Sequence, residues 1–91
     1  MSQDMTVEIA IESRIRKILT DQFDMVLPSH HDEITMNTIP AWDSMAQVQI
    51  VVAIESEFGI EADTALVEAQ TLVALVEVVG AKLLASAGAS P

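Results

Sequence analysis

The residues best suited to do chemistry are Asp43 and Ser44, which stand where a polar stretch gives way to the apolar segment 44–58. If that segment is a helix, the Ser44 hydroxyl lies at its N-terminus, where free backbone N–H groups and the helix dipole favour a phosphate. A phosphodiester on Ser44 would be well placed there. The alternative is that Ser44 serves only as the N-cap of the helix. A third interpretation, a hydrolase that uses Ser44 as nucleophile, lacks a base, because nothing in the sequence places a histidine beside it.

Metal chemistry has one candidate, the run His30-His31-Asp32-Glu33. Adjacent histidines point apart in most backbones and no helical i, i+4 pair accompanies them, so we interpret the run as a solvated loop. The sequence has no cysteine, which excludes a disulfide, a thiol nucleophile and a Cys-based zinc site. We therefore expect a protein that is not an enzyme and holds no metal.

Helices must position these residues, because 51% of the 91 residues are hydrophobic, most of them aliphatic, and only 3% are aromatic. A first helix is predicted over 6–23 from a single apolar stripe. Pro28 then breaks the chain, and 29–40 has no hydrophobic period, which predicts a long loop. The apolar stripe consists of Val7, Ile11, Ile15, Ile18 and Leu19.

Segment 44–58 has features of both a strand and a helix. Val48, Ile50, Val52 and Ile54 alternate as in a strand. Its length without Gly or Pro, the capping-box spacing from Ser44 and the glycine that follows favour a helix, and a helix is our prediction. Such a helix has two apolar stripes and should pack on more than one neighbour. The stripes are Val48, Val51 and Val52, and Ile50, Ile54 and Phe58.

Two further helices complete the prediction. Asp63 or Thr64 can cap one or two turns over 63–68, and Thr71 can cap a final helix with a strict apolar stripe. Gly80 weakens that helix by about 1 kcal/mol relative to alanine. We expect one all-α domain, a bundle of three main helices and one short one, with a folded core over about 6–84 and a flexible tail over 85–91.

The formal charge of −10 repels phosphate backbones and anionic lipid surfaces, which excludes nucleic-acid binding and favours basic protein partners. The longest apolar run, 50–54, is far below the roughly 20 residues that cross a bilayer. The first ten residues do not resemble a secretory signal, because no basic cluster precedes an apolar stretch. We therefore expect a cytoplasmic monomer that does not insert into membranes.

The ordered set of residues around Ser44 resembles the signature of acyl carrier proteins. That signature runs Asp-Ser-Leu, then apolar residues at fixed steps, then Ile/Leu-Glu and Phe-Gly-Ile. The corresponding residues here are Asp43-Ser44-Met45, Ile50, Ile54-Glu55 and Phe58-Gly59-Ile60, and Thr71-Leu72-Val73 resembles the start of the family's last helix.

The resemblance implies that Ser44 carries 4′-phosphopantetheine, attached by a phosphopantetheinyl transferase. A loading enzyme would then place an acyl or aminoacyl group on the arm as a thioester for a downstream synthase or transferase. Asp43 would help to present Ser44, and Met45 would enter partner pockets. The plainer alternatives are that Asp43 only caps the helix and that Met45 fills the core.

Departures from the family pattern narrow the expected pathway. Gln47 and Gln49 occupy positions that are often acidic in fatty-acid synthase carriers, which favours a specialised lipid, polyketide or nonribosomal-peptide pathway. Trp42 would contact a partner or else anchor the loop on the bundle. The alternative from another class is a small acidic helical adaptor with no prosthetic group. The acids expected to form the recognition surface are Glu55, Glu57, Glu61 and Asp63, with Glu68 beside them.

Overall fold

The computed structural model describes residues 3–88 and confirms the predicted all-α, four-helix bundle. The helices are α1 (Gln3–Phe23), α2 (Ser44–Phe58), α3 (Thr64–Val67) and α4 (Leu72–Gly88). A single 3₁₀ turn, His31–Glu33, interrupts the long loop between α1 and α2.

The core is formed by the inward stripes of the helices together with three residues of the long loop. Helix α1 packs on both α2 and α4, and the short α3 bridges α2 and α4 at the other side of the bundle. Burial of this aliphatic set drives folding, since the sequence offers neither a disulfide nor a large aromatic cluster. The side chains with almost no exposure are Ile15, Leu19, Ile34, Ile39, Trp42, Ile50, Ile54, Leu66, Leu72, Leu75 and Val79.

The long loop is pinned to the bundle by a backbone bridge that the sequence pattern did not predict. Thr35 pairs with Thr71 in an isolated antiparallel bridge. The N–H of Met36 donates to Gln70 O at 2.9 Å, and the N–H of Leu72 donates to Ile34 O at the same distance. The bridge fixes the loop against the first residue of α4, so the chain enters α2 from a defined position.

The predicted helix ends need two corrections. Helix α1 begins at Gln3 rather than at residue 6. Helix α4 begins after Thr71, whose hydroxyl caps Ala74 N–H as predicted, and it continues to Gly88. The predicted tail is therefore helical over 85–88, where alanine, the strongest helix former, alternates with small residues; residues 89–91 lie outside the described part of the chain.

Helix α2 buries only part of the two stripes expected of it. Ile50, Ile54 and Val51 are buried, but Val48 and Val52 are more than half exposed. These two valines lie on the exposed side of α2, whose main contacts with other helices are with α1 and α3. Across residues 3–88, none of the helices is both long enough and apolar enough to span a membrane.

Candidate functional site

The N-terminus of α2 is capped by Asp43, and Ser44 is the first residue of the helix. Asp43 Oδ1 accepts the backbone N–H of Ala46 at 2.9 Å, from an extended backbone typical of an N-cap. The interpretation of Ser44 as the cap is therefore wrong, because a better acceptor precedes it by one residue. Ser44 is exposed.

Two backbone donors point out of the helix beside the Ser44 hydroxyl. Within the described residues, the N–H groups of Ser44 and Met45 donate no hydrogen bond, while those of Ala46 and Gln47 are satisfied by Asp43. Free N–H groups at the positive end of a helix dipole stabilise a phosphate. The site therefore fits a phosphodiester on the Ser44 oxygen, and access to it is open.

Trp42 anchors the approach to the site and is not available to a partner. The indole is 2% exposed and lies against Phe23 at the end of α1, with ring centroids 5.7 Å apart. Of its two predicted roles, the structure supports the anchor, and the predicted partner contact of Trp42 is wrong.

Gln47 is the functionally placed residue that sequence reasoning missed. The resemblance places it only at a position that is often acidic in fatty-acid synthase carriers, whereas here its side chain is 4% exposed. Its Oε1 accepts the Trp42 indole N–H at 2.6 Å, and its Nε2 donates to Val67 O at 3.0 Å and Ala69 O at 2.9 Å. The signal was present in the spacing, because 47, 50 and 54 lie on one helical stripe at i, i+3 and i+7.

Met45, by contrast, lies in solvent rather than in the core. It is 75% exposed and, together with Val48 and Val52, forms an apolar strip along the outer face of α2. We call these three residues the α2 strip. Because Ser44 directly precedes Met45, a protein that reaches the serine hydroxyl must come close to this strip.

The predicted acidic recognition residues are largely engaged within the molecule. Glu57 Oε2 lies 2.8 Å from Arg14 Nε, and Asp63 Oδ2 lies 2.7 Å from Lys82 Nζ. Glu55 Oε2 accepts the N–H of Ala62 at 2.8 Å. Glu61 and Glu68 are exposed and make no such contact among the described side chains.

Asp63 has a second role as the N-cap of α3, and it is one of the two candidates, with Thr64, that the sequence offers for that cap. Its Oδ1 accepts the N–H of Leu66 at 3.0 Å. The Lys82 ammonium, and then this Leu66 N–H, lower the pKa of the Asp63 carboxyl below its usual value of 3.8, because both stabilise the ionised form. The pair also ties α3 to the middle of α4.

His30 and His31 lie in the exposed loop and do not form part of the site. His30 Nδ1 accepts the N–H of Asp32 at 3.3 Å and so caps the 3₁₀ turn. Neither ring is hydrogen-bonded to Ser44 within the described residues.

Comparison with known proteins identifies the segment that surrounds this site. Residues 42–79 match the family described as "Phosphopantetheine attachment site". No curated protein and no solved structure gives a significant match. Domains of the matched family carry 4′-phosphopantetheine covalently on a serine and are not themselves enzymes. Residues 42–79 are therefore similar to phosphopantetheine attachment domains, which is consistent with the acyl carrier protein family.

Proposed function

We propose that this protein is an acyl carrier protein whose phosphopantetheine arm is attached to Ser44. The observation that carries the proposal is the position of the Ser44 hydroxyl, exposed at the first residue of α2 within the matched segment. The cap of the helix is supplied by Asp43, so modification of Ser44 leaves the helix start intact. Asp43 thereby presents the serine as well as capping the helix.

The matched segment contains only one other serine, Ser56, and the structure gives it no comparable setting. Ser56 is exposed, but it is the third residue from the C-terminal end of α2. The dipole there is negative, and the last carbonyls of a helix repel a phosphate. Ser56 therefore serves as a matched control for Ser44.

The chain's part in the transfer is to supply a nucleophile and a place for the new phosphate. The Ser44 oxygen would form a bond to the β-phosphorus of coenzyme A as the bond to 3′,5′-ADP breaks, and the hydroxyl proton would pass to a base of the transferase. The Ser44 and Met45 N–H groups lie where the new phosphodiester needs donors. Once attached, the arm supplies a terminal thiol for thioester chemistry, which the chain itself lacks.

The α2 strip is the surface we assign to the transferase, the loading enzyme and the downstream synthase or transferase. Met45, Val48 and Val52 continue from Ser44 along one face of the helix. Methionine suits contacts with several partners because its side chain is flexible and polarisable. The acids at the far end of α2 and in the following loop, Glu55, Glu57, Glu61 and Asp63, form an anionic rim that steers basic partners, with Glu61 as its least engaged member.

The pathway we favour is a specialised one for lipids, polyketides or nonribosomal peptides. Helix α2 carries no acid in its first turn, and no acidic side chain precedes Glu55 along it. Because Gln47 is buried and Gln49 is bonded to Gln22 of α1, the argument rests on the α2 strip, which offers apolar rather than charged contacts near the serine.

Intact-protein mass spectrometry tests the proposal. The protein is incubated with coenzyme A, Mg²⁺ and a broad-specificity phosphopantetheinyl transferase, beside Ser44→Ala and Ser56→Ala. We expect one added phosphopantetheine on the wild type and on Ser56→Ala, and none on Ser44→Ala. A wild type that stays unmodified with several transferases would favour the acidic adaptor, and modification of Ser44→Ala would exclude Ser44 as the site.

A further inference from the structure

We infer that Gln47 is a positioning residue for Ser44, a role that rests on the proposed function. Its carboxamide joins three parts of the chain: the loop before α2 through Trp42, helix α2 itself, and the end of α3 through Val67 and Ala69. This Trp42–Gln47 clamp holds the segment that leads into Ser44.

In the clamp, the carboxamide oxygen and both N–H groups of Gln47 have hydrogen-bond partners. The two N–H donors are directed at Val67 O and Ala69 O, with Leu66 O farther away at 3.5 Å, and the oxygen accepts the indole N–H. Gln47 is the single polar side chain among the buried residues that the structure describes. A fully satisfied buried amide is directional, so it fixes a register that apolar packing alone would leave loose.

The end of α3 needs these donors from outside. Helix α3 has only four residues, so its last carbonyls cannot all find partners within it. Gln47 supplies the missing donors at Val67 and at Ala69, which follows the helix. The end of α3 thus holds the Gln47 carboxamide in place, and the carboxamide in turn holds the Trp42 indole in place.

Trp42, Asp43 and Ser44 are consecutive, so a shift at the indole is passed directly to the cap and the nucleophile. The α2 strip, by contrast, extends into the second and third turns of the helix, beyond the reach of a frayed start. Loss of the clamp should therefore disturb the serine but leave most of the docking surface in place. This gives the clamp a kinetic signature, a fall in kcat with little change in KM, that a general loss of stability would not produce.

The test compares Gln47→Met with Gln49→Met in transferase kinetics. Gln49→Met is the matched control, because it makes the same substitution on the same helix. The Gln49 carboxamide is hydrogen-bonded to Gln22 of α1 and not to Trp42. Rates are measured where circular dichroism shows every variant folded. We expect kcat to fall about tenfold for Gln47→Met, since a misplacement of about 1 Å can cost 10²-fold, with KM within about twofold. Gln49→Met should keep the wild-type kcat.

A second variant covers the case in which Gln47→Met does not fold. Trp42→Phe keeps an aromatic ring against Phe23 but removes the indole donor together with part of the buried ring, so it should lower kcat in the same way. In the double variant the two effects on kcat should be less than additive, because both substitutions remove the same hydrogen bond between Trp42 and Gln47. Unchanged kcat in folded Trp42→Phe or Gln47→Met would overturn the inference, and so would a rise in KM alone. The proposed function is unaffected by that result, since it fails only if Ser44 is not modified in the wild type.

Discussion

Asp43 caps helix α2 by accepting the backbone N–H of Ala46 at 2.9 Å, and the neighbouring Ser44 is left out of the cap. This arrangement suits the proposed carrier function, because the residue that holds the helix start differs from the residue that we propose to receive the arm. The hydroxyl can then be esterified with no loss of helix structure.

Stability measurements on the two residues should separate these roles. Asp43→Ala removes the cap and should lower the free energy of unfolding by about 0.5–2 kcal/mol. Asp43→Asn keeps an acceptor and should cost a few tenths at most. Ser44→Ala, at an exposed position outside the cap, should change stability by less than about 0.5 kcal/mol in urea denaturation. A cost of Ser44→Ala as large as that of Asp43→Ala would contradict the assignment of the cap.

The α2 strip should contribute to binding of the transferase. Val52→Ser removes the two exposed methyl groups of Val52 and leaves the core unchanged. We therefore expect the KM of the transferase for the protein to rise severalfold, with kcat unchanged. Val67→Ser, on α3, is the control, since Val67 is exposed to a similar degree but lies off the strip. Equal effects of the two variants would remove the case for a localised docking face.

The acidic rim should act mainly through Glu61. Glu57 is neutralised by Arg14 at 2.8 Å, whereas Glu61 has no such partner among the described side chains. At low ionic strength Glu61→Gln should slow association with the transferase more than Glu57→Gln does, and the difference should shrink at physiological salt. Stopped-flow association rates measure this, and a larger effect of Glu57→Gln would reverse the ranking.

The Asp63–Lys82 pair should make stability depend on pH in a defined direction. Because the pKa of Asp63 is lowered in the folded protein, its contribution is present above the usual value of 3.8 and is lost as the pH falls through the lowered pKa. The Tm of the wild type should therefore exceed that of Asp63→Asn near neutral pH, and the gap should close in acid. Asparagine keeps the cap of α3, so the gap reports the charge.

Asp21→Asn is the control for that experiment, because Asp21 pairs with Lys17 at 3.7 Å with both side chains largely exposed. Its Tm should follow that of the wild type at every pH. A gap between wild type and Asp63→Asn that is constant with pH would show that the Lys82 pair does not carry the effect.

Gly80 offers a stabilising substitution away from the site. A Cβ added there would meet Ile11 Cδ1 at 3.8 Å, an ordinary contact, so Gly80→Ala should raise stability by about 0.5–1 kcal/mol. Gly59→Ala should do the opposite, because Gly59 ends α2 with a φ of +65°. Thermal denaturation measures the stability of both variants. A lower Tm for Gly80→Ala would show that the contact between α1 and α4 cannot accommodate the added methyl group.

The sequence predicts best where local signals agree. Helix α2 has the predicted bounds, and α3 is capped by Asp63, one of its two predicted candidates, because spacing, caps and terminal glycine all act within a few residues. The pairing of Thr35 with Thr71 was not predictable from periodicity, since it joins segments far apart in the chain. The spacing of 47, 50 and 54 puts Gln47 on the inward stripe of α2, but the carbonyls that satisfy its buried amide come from the end of α3, which no local pattern brings to it.

The clamp around Trp42 also gives the protein a built-in optical reporter. The sequence has one tryptophan and no tyrosine, so its ultraviolet emission comes almost entirely from a single indole two residues from the proposed attachment point. That ring is packed against Phe23 and bonded to Gln47, which makes its fluorescence sensitive to small changes in the local environment. Attachment of an arm to Ser44 can thus be tested by comparing the emission of the purified unmodified and modified protein, with no dye attached.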